Sequence, residues 1–93
     1  MIITHHQDGE QGFFLAEENG KRMGYLSYEW DSPTRFAILH TVVEKAYQGH
    51  GVAKALVNAA VDFAREKGYT ILPVCPYAEN LFKRDTSYKD ILC

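Results

Sequence analysis

The sequence predicts a single α/β domain of the α+β type: a mixed, mostly antiparallel sheet with a central β-α-β crossover and a short second helix. Three observations predict it. The 93 residues suffice for one modest hydrophobic core, so residues 1–93 form one domain. Hydrophobic residues make up 46% and charged residues 24% of the chain, which is the balance of a folded protein rather than a disordered one. Four strand-like segments precede one long helical period, and a fifth follows it.

The N-terminal part of the chain is predicted to form three antiparallel strands. Residues 2–7 and 13–17 flank "DGEQG", whose glycines suit a hairpin connection. Residues 22–30, "RMGYLSYEW", lie between the turn sequences "ENGK" and "DSPT" and alternate between two faces. One face carries Met23, Tyr25 and Ser27, and the other carries Leu26 and Tyr28.

The predicted central strand and long helix come next. Residues 35–43, "RFAILHTVV", are rich in β-branched and apolar side chains and contain no glycine or proline. Residues 51–67 repeat apolar positions at the three- and four-residue spacing of an amphipathic helix, which Gly68 ends as a left-handed cap. The inward positions are Val52, Leu56, Ala59, Ala60 and Phe63, and the outward ones are Lys54, Asn58, Asp62, Arg65 and Glu66.

The C-terminal part is predicted to complete the crossover. Residues 69–74, "YTILPV", form a fifth strand, parallel to the fourth because a helix connects the two in a right-handed crossover. Residues 77–85 form the short second helix. Residues 87–93, "SYKDILC", are a closing segment whose conformation the pattern does not define.

Charge and cysteine content disfavour several classes of function. Ten basic against twelve acidic side chains give a formal charge of −2, so no overall field attracts a nucleic acid or an anionic membrane. The sequence has no apolar run long enough to span a membrane and no signal-peptide pattern, so we expect a cytoplasmic protein. We expect it to bind neither nucleic acid nor a membrane. Cys75 and Cys93 match no disulfide or zinc spacing and are expected to be free thiols. His5 and His6 point to opposite faces of one strand, so we expect surface histidines and no metal site.

The segment "QGHGVA", residues 48–53, leaves the central strand and enters the long helix. Helix N-terminal amides have no intrahelical acceptors, and the helix dipole adds positive potential there. Gly49 and Gly51 would let the backbone approach a bulky anion. The segment is therefore either a pyrophosphate-binding loop or a tight β-to-α turn, and its spacing alone does not decide. It lacks the lysine and hydroxyl of "GxxxxGK[ST]" and the third glycine of dinucleotide sites.

Three motifs in order resemble the GCN5-related N-acetyltransferases, and in particular a short single-domain subgroup of them. Gln48, Gly51 and Ala53 match Q/R-x-x-G-x-G/A. "HTVV" before this loop matches HT-x-V, and "PVCPY" after it matches P-x-C-x-Y. The resemblance covers residues 40–92, including the "SYKDIL" tail. It implies the minimal fold of that family, with acetyl-CoA as cosubstrate and no metal.

The resemblance also implies roles for the residues around the loop. The backbone of Val42 and Val43 would bind the pantetheine arm, and the loop amides would bind the diphosphate. Lys54 either adds a positive charge near a phosphate or is a solvated helix lysine. The predicted cofactor-binding residues are Val42, Val43, Gln48, Gly49, His50, Gly51, Val52, Ala53 and Lys54.

Acyl transfer to an amine needs a deprotonated nucleophile, an oxyanion donor and a proton for the leaving thiolate. Cys75 follows a strand and precedes Pro76 at a predicted helix start, where the helix N-terminus lowers a thiol pKa. Cys75 would accept the acetyl group transiently or shape the thioester pocket; the alternative is a buried, inert cysteine. His40 would orient Cys75 or act as a base; the alternative is a hydrogen-bonded core histidine.

Two departures from the family pattern bear on the acid and the base. Phe82 stands where the family places the tyrosine that protonates the thiolate, which leaves Tyr77 as a weak substitute. Val42 stands where an acidic residue is expected in the short subgroup, so the candidate bases are Glu44, His40, His50 or water.

The predicted function is transfer of an acetyl group from acetyl-CoA to an amine, on a small molecule or a protein side chain. The alternative from another class is an acyl-CoA-binding or regulatory module without turnover, and a third is a nucleotide-phosphate binder. Larger family members wall the acceptor site with helices after the first strand, where this chain has only "DGEQG". We therefore expect an open acceptor site.

Overall fold

The structure, a computed structural model, describes residues 1–92. It contains a five-stranded sheet in which each strand lies beside the next one in the sequence. The strands are β1 (Ile2–Asp8), β2 (Gln11–Glu18), β3 (Lys21–Ser32), β4 (Arg35–Val43) and β5 (Thr70–Pro73). The helices are α1 (Val52–Lys67) and α2 (Pro76–Arg84), with short 3₁₀ helices at Lys45–Tyr47 and Thr86–Ile91.

The sheet has the predicted mixed topology. Strands β1 to β4 pair antiparallel, and β5 pairs parallel to β4 after the α1 crossover. The prediction of the fold class is confirmed. Strand β4 has the predicted bounds, and the other elements differ from prediction by one or two residues at their ends. The 3₁₀ helix between β4 and α1 was not predicted.

One face of the sheet and both α-helices share a single hydrophobic core. Helix α1 contacts β2 to β5, and α2 contacts β4 and β5. The buried face of α1 is wider than predicted, since Val57, Val61 and Ala64 also lie in the core. Asn58, predicted to face outward, accepts a hydrogen bond from the Tyr88 hydroxyl at 2.6 Å. The largest fully buried side chains of the sheet are Tyr28, Phe36, Leu26, Ile38 and Ile71.

The other face of the sheet is more exposed over its central strands. A groove of about 550 Å³ crosses it, and we call the surface formed by Phe13, Leu15, Tyr25 and Leu39 the open face. Phe13 is 40% exposed, whereas its neighbour Phe14 is buried at 3%. The alternation along β2 therefore separates a core face from an apolar face in contact with solvent.

Two β-bulges change which face a residue occupies. Ala16 pairs with Gly24 and Glu17 with Arg22, so Met23 is the extra residue on β3. Met23 is buried in the core with Leu26 and Tyr28, and the prediction that grouped it with Tyr25 is wrong.

The second bulge lies on β4. Ser27 pairs with His40 and Tyr28 with Ile38, so Leu39 is the extra residue. Ile38 before the bulge is fully buried, and Thr41 after it contacts the buried Cys75. Leu39 and His40 between them therefore lie toward the open face.

His5 is not the surface residue that the sequence predicted. Its imidazole stacks on Phe14 at a centroid distance of 4.1 Å and meets Phe63 of α1 edge-on at 4.5 Å. Its Nε2 lies 2.7 Å from the hydroxyl of Tyr28. His6 is exposed, so the two histidines do lie on opposite faces of the strand. His5 can be partly buried on the core face because the Tyr28 hydroxyl forms a hydrogen bond with its ring.

The start of α1 approaches the sheet closely at Gly24. A Cβ at this position would lie 2.5 Å from the Val42 carbonyl oxygen and 3.3 Å from a methyl group of Val52. Only glycine fits this contact without a shift of the backbone. The close approach places the first turn of α1 beside the end of β4.

The closing segment is held against α1 and β5. Arg65 donates to both carboxylate oxygens of Asp90 and to the Ser87 carbonyl oxygen. Leu92 forms a parallel bridge with Ile71 of β5. The segment predicted without a defined form is thus mostly a 3₁₀ helix, and Cys93 lies outside the described residues.

Candidate active site

A gap opens between β4 and the start of α2. Strand β5 pairs with β4 only as far as Pro73 opposite Ile38. The amides of Val74 and Cys75 then both donate to the Ile38 carbonyl oxygen, at 3.1 and 2.9 Å. Strand β4 continues to Val43 with β3 on one side, and no described strand pairs with its other edge beyond Ile38.

Cys75 lies at this gap, at the N-cap of α2, with 5% of its surface exposed. Its Sγ donates to Thr41 Oγ1 at 3.6 Å. Burial alone would raise the pKa of the thiol, but the Ala78 and Tyr77 amides and the Thr41 hydroxyl act more strongly together and lower it. Backbone N–H groups at a helix start favour the thiolate, so Cys75 has more thiolate character than a free thiol.

His40 is separated from Cys75. It is exposed, opposite Ser27 in the register, while the adjacent Thr41 contacts Cys75. No hydrogen bond joins His40 to Cys75 within residues 1–92. The alternative of a hydrogen-bonded core histidine is therefore wrong, and so is direct orientation of Cys75 by His40. The imidazole remains placed to act on a group that approaches from the open face.

The glycine loop forms one wall of a cavity of about 300 Å³ between β4, α1 and α2. Seven of the nine predicted cofactor-binding residues line it: Val43, Gln48, Gly49, Gly51, Val52, Ala53 and Lys54. Gly49 and Gly51 have φ angles of 84° and 77°, and a Cβ at either would meet nothing within 4 Å. The first intrahelical bond runs from Ala55 to Gly51, so the preceding amides of α1 have no acceptor within the helix. The loop thus offers free N–H donors to an open space that admits an anion.

The other two predicted residues lie differently. Val42 does not line the cavity and is 39% exposed. His50 does not line it either, and its amide donates to the Tyr47 carbonyl oxygen at 3.3 Å. The Val42 carbonyl faces Gly24 of β3 rather than the free edge of β4. His50 could contribute only through its side chain.

Lys54 is exposed to solvent and also lies at the edge of the cavity. It lines the cavity in the first turn of α1. Hydrogen bonds from Ser87 lower the pKa of the Asp85 carboxyl, and the positive charge of Lys54 lowers it further. Lys54 is therefore close to a carboxylate as well as to the cavity.

Three further residues belong to the site. Tyr47 and Tyr77 line the cavity beside the loop, and Thr41 contacts Cys75. Neither Tyr47, which directly precedes the glycine loop, nor Thr41, which lies within the HT-x-V motif, was predicted to be a site residue. Phe82 is buried and packs on Tyr88 at a centroid distance of 5.0 Å, so it contributes packing and no proton.

The described residues form neither a metal site nor a membrane-spanning helix. Within residues 1–92, no three His, Cys, Asp or Glu side chains are grouped closely enough to hold a metal ion. In the same part of the chain, each helix is too short or too polar to cross a bilayer.

Comparison with known proteins gives consistent matches. A family model described as GCN5-related N-acetyl-transferase matches residues 12–91. An uncharacterised N-acetyltransferase of Methanocaldococcus jannaschii is 32% identical over 77 residues, which are 76% of this chain and 34% of that protein. Protein NATD1 of Bos taurus is 35% identical over 84 residues, 90% of this chain and 74% of that protein.

A solved structure shares the fold. The solution structure of a GCN5-like protein from Staphylococcus aureus superimposes with a TM-score of 0.65 at 26% identity. The match covers 97% of this chain and 87% of that one. By contrast, the chain spans about a third of the length of the archaeal relative.

Proposed function

The chain belongs to the GCN5-related N-acetyltransferase family, and from that premise we propose that it binds acetyl-CoA and transfers the acetyl group to an amine. The observation that carries the proposal is the continuity of three features. The glycine loop shares a cavity with Val43 of β4 and Tyr77 of α2, and two residues before each of these, Thr41 and Cys75 contact each other.

The loop end of the gap suits the diphosphate of CoA. The free amides of the first turn of α1 would donate to phosphate oxygens, and the helix dipole would add to their attraction. The side chain of Lys54 would contribute a charge, partly offset by Asp85. The open space over Gly49 and Gly51 leaves room for a phosphate to reach the backbone.

The β4 edge suits the pantetheine arm. The arm carries amide groups, and the free edge of β4 at Val43 offers a backbone donor and acceptor of the kind that pair with an added strand, whereas the Val42 carbonyl faces β3. An arm extending from the loop along this edge leads to the gap at Thr41 and Cys75. Acetyl-CoA bound in this way supplies the acyl group as a thioester.

The amine would approach from the open face, where His40 lies. As the amine nitrogen bonds to the acetyl carbon and the carbon–sulfur bond breaks, the amine loses a proton to His40 or to water. The leaving thiolate of CoA is released into the gap, where the Tyr77 hydroxyl and solvent are the available proton donors.

Cys75 has two roles compatible with its position. In a covalent route, its thiolate attacks the acetyl carbon, a new carbon–sulfur bond forms, and CoA leaves as a thiolate. The amine then attacks acetyl-Cys75, a carbon–nitrogen bond forms, and the Cys75 thiolate is regenerated as the amine proton passes to His40 or water. In a direct route, Cys75 and Thr41 shape the pocket around the thioester. The covalent route requires a reduced thiol, which a cytoplasmic setting would maintain.

One observation favours a second candidate, an acyl-CoA-binding or regulatory module without turnover. Phe82, buried against Tyr88, cannot protonate a leaving thiolate, and the acceptor side is wide. The two candidates share the CoA site and differ only in whether an amine is acetylated.

The test is a screen of primary amines and lysine peptides that follows CoA release from acetyl-CoA. We expect amine-dependent CoA release, with the acetyl group recovered on the amine by mass spectrometry. CoA binding without release for any acceptor would support the binding-module candidate and contradict the transferase.

A further inference from the structure

We propose that the groove across the open face binds the body of the acceptor, and that this acceptor is an apolar amine with a second positive charge at its far end. The inference rests on the proposed function and extends it, because it names the class of amine. Three properties of the groove carry it: its apolar floor, its position beside the gap, and the charge at its outer end.

The floor of the groove is apolar and aromatic. Phe13, Leu15 and Leu39 line the groove, and the ring of Tyr25 lies among them. Phe13 is 40% exposed, and its ring stacks on that of His6 at a centroid distance of 4.7 Å, so the floor is an aromatic surface in contact with solvent. A groove of about 550 Å³ with this lining suits an alkyl or aromatic chain better than a strongly hydrated polycation.

One end of the groove adjoins the reacting centre. Leu39, the bulge residue of β4, lines the groove, and the carbonyl of the preceding Ile38 accepts the Cys75 amide at 2.9 Å. His40 follows directly and is exposed. A nitrogen at this end would therefore lie next to both the gap that holds the thioester and a side chain able to take its proton.

The other end is acidic. Asp8 of β1 lines the groove three strands away from β4, which is about 14 Å at the usual strand spacing. Arg22 also lines the groove, but it donates to Glu44 at 2.6 Å and lies over the Tyr25 ring at 5.7 Å, in a different register row from Asp8. Gln11 pairs with both Asp8 and Glu29, which places a second carboxylate in the register row of Asp8. The outer end is thus complementary to a cation.

Together these ends define the acceptor chemistry: a nucleophilic nitrogen at Leu39, an apolar chain over Phe13 and Leu15, and a cation toward Asp8. Octylamine, diaminooctane and spermidine test the three parts separately. Octylamine has the apolar chain and one charge, diaminooctane has the same chain and two charges, and spermidine has more charge on a more polar chain.

The experiment is a titration of the protein with each amine in the presence of desulfo-CoA, followed by amide chemical shifts. We expect shifts at Phe13, Leu15, Tyr25 and Leu39. We also expect diaminooctane to bind about threefold more tightly than octylamine, the size of an exposed charge contact. Spermidine should bind more weakly than diaminooctane, and spermidine binding as tightly would overturn the requirement for an apolar chain.

Single substitutions test the apolar floor of the groove and the charge at its outer end separately. Asp8→Asn should remove the threefold advantage of diaminooctane and leave octylamine unchanged, whereas Glu10→Gln removes a charge on the same hairpin and should change neither. Phe13→Ala should weaken both amines about fivefold through lost apolar contact. An unchanged diaminooctane advantage in Asp8→Asn would overturn the proposal for the second charge. The amide spectrum of each variant reports that it is folded.

The outcomes distinguish this inference from the function on which it rests. If desulfo-CoA fails to shift the loop amides of Gly49 and Gly51, the proposed function and the inference both fail. If desulfo-CoA binds and the amines leave the open face unshifted, only the inference is overturned.

Discussion

Cys75 is buried at the start of α2, yet its hydrogen bonds favour the thiolate form. Its Sγ lies beside the first amides of α2 and the Thr41 hydroxyl, and these groups outweigh the effect of burial on its pKa. A buried cysteine among apolar groups alone would have a raised pKa and would be inert. These hydrogen bonds favour the thiolate that the covalent route requires.

The covalent route predicts acetylation of Cys75. After incubation with acetyl-CoA, mass spectrometry of peptides should locate an acetyl group on Cys75 in the unmodified chain and in Cys93→Ser, but none in Cys75→Ala. Because the pKa of Cys75 is lowered, the acetylation rate should rise with pH and level off at a lower pH than it would for an ordinary free thiol. An unmodified Cys75, with turnover surviving in Cys75→Ala, would rule this route out.

His5 predicts a dependence of stability on pH. Burial, with a smaller contribution from the charge of His6, lowers the pKa of His5 below its ordinary value of 6.5. The unfolded chain therefore binds a proton at higher pH than the folded one, and stability should decline as pH falls through 6.5 and below. Urea unfolding at pH 7.5 and 5.5 should show a smaller loss in His5→Asn than in the parent chain. The same loss in His5→Asn as in His50→Asn, an exposed control, would contradict this account.

At the scale of elements, the parts that the sequence predicted well are those with local patterns. Strand β4 is a continuous apolar run without breakers, and α1 repeats its apolar positions with glycine at both ends. The bulge at Leu39 could not be predicted, because it depends on the pairing of β4 with Ser27 and Tyr28 of another strand. The face occupied by His40 depends on that bulge, which is why His40 was expected beside Cys75.

The first turn of α1 predicts a local charge effect on CoA binding. Lys54→Ala should weaken acetyl-CoA binding about threefold at low salt, since Lys54 lines the cavity and its charge is partly matched by Asp85. The effect should shrink at high salt. Lys67→Ala, which removes a lysine from the last turn of the same helix, is the matched control in calorimetry. Equal affinities for the two variants would show that Lys54 is only a solvated helix lysine.

The close contact of β3 with β4 and α1 at Gly24 predicts that an added methyl group there lowers stability. Gly24→Ala should lower the free energy of unfolding by about 1–3 kcal/mol, because the new Cβ would press on the Val42 carbonyl, which is backbone and cannot rotate away. Urea unfolding measures the loss. Ser27→Ala on the same strand should change stability by less than about 0.5 kcal/mol. A Gly24→Ala variant as stable as Ser27→Ala would contradict the close approach.

At the scale of the molecule, the two proposed ligands would approach the sheet from opposite faces. The core face and the helices hold the loop, Cys75 and the gap, while the open face holds the groove and His40. Lys54 lines the loop cavity, whereas Asp8 lines the groove. This division suits an anionic cosubstrate on one side and a cationic acceptor on the other.

The sequence predicted the residues of the loop cavity better than those of the groove, and the reason is physical. Amides at a glycine loop and a helix start act through the backbone, and their placement follows from local motifs. The groove is formed by side chains of Phe13, Tyr25 and Leu39 on three strands, and becomes visible only once the register is known. Its apolar character was therefore not predicted, although an open acceptor side was.

The most direct test of the central claim is a map of acetyl-CoA binding by amide chemical shifts, with ATP titrated in parallel. The account predicts saturable shifts for acetyl-CoA at Val43, Gly49 and Gly51, extending to Thr41 and Cys75, and weaker binding of ATP confined to the loop. Binding of ATP alone, or acetyl-CoA shifts that leave these residues unmoved, would contradict it.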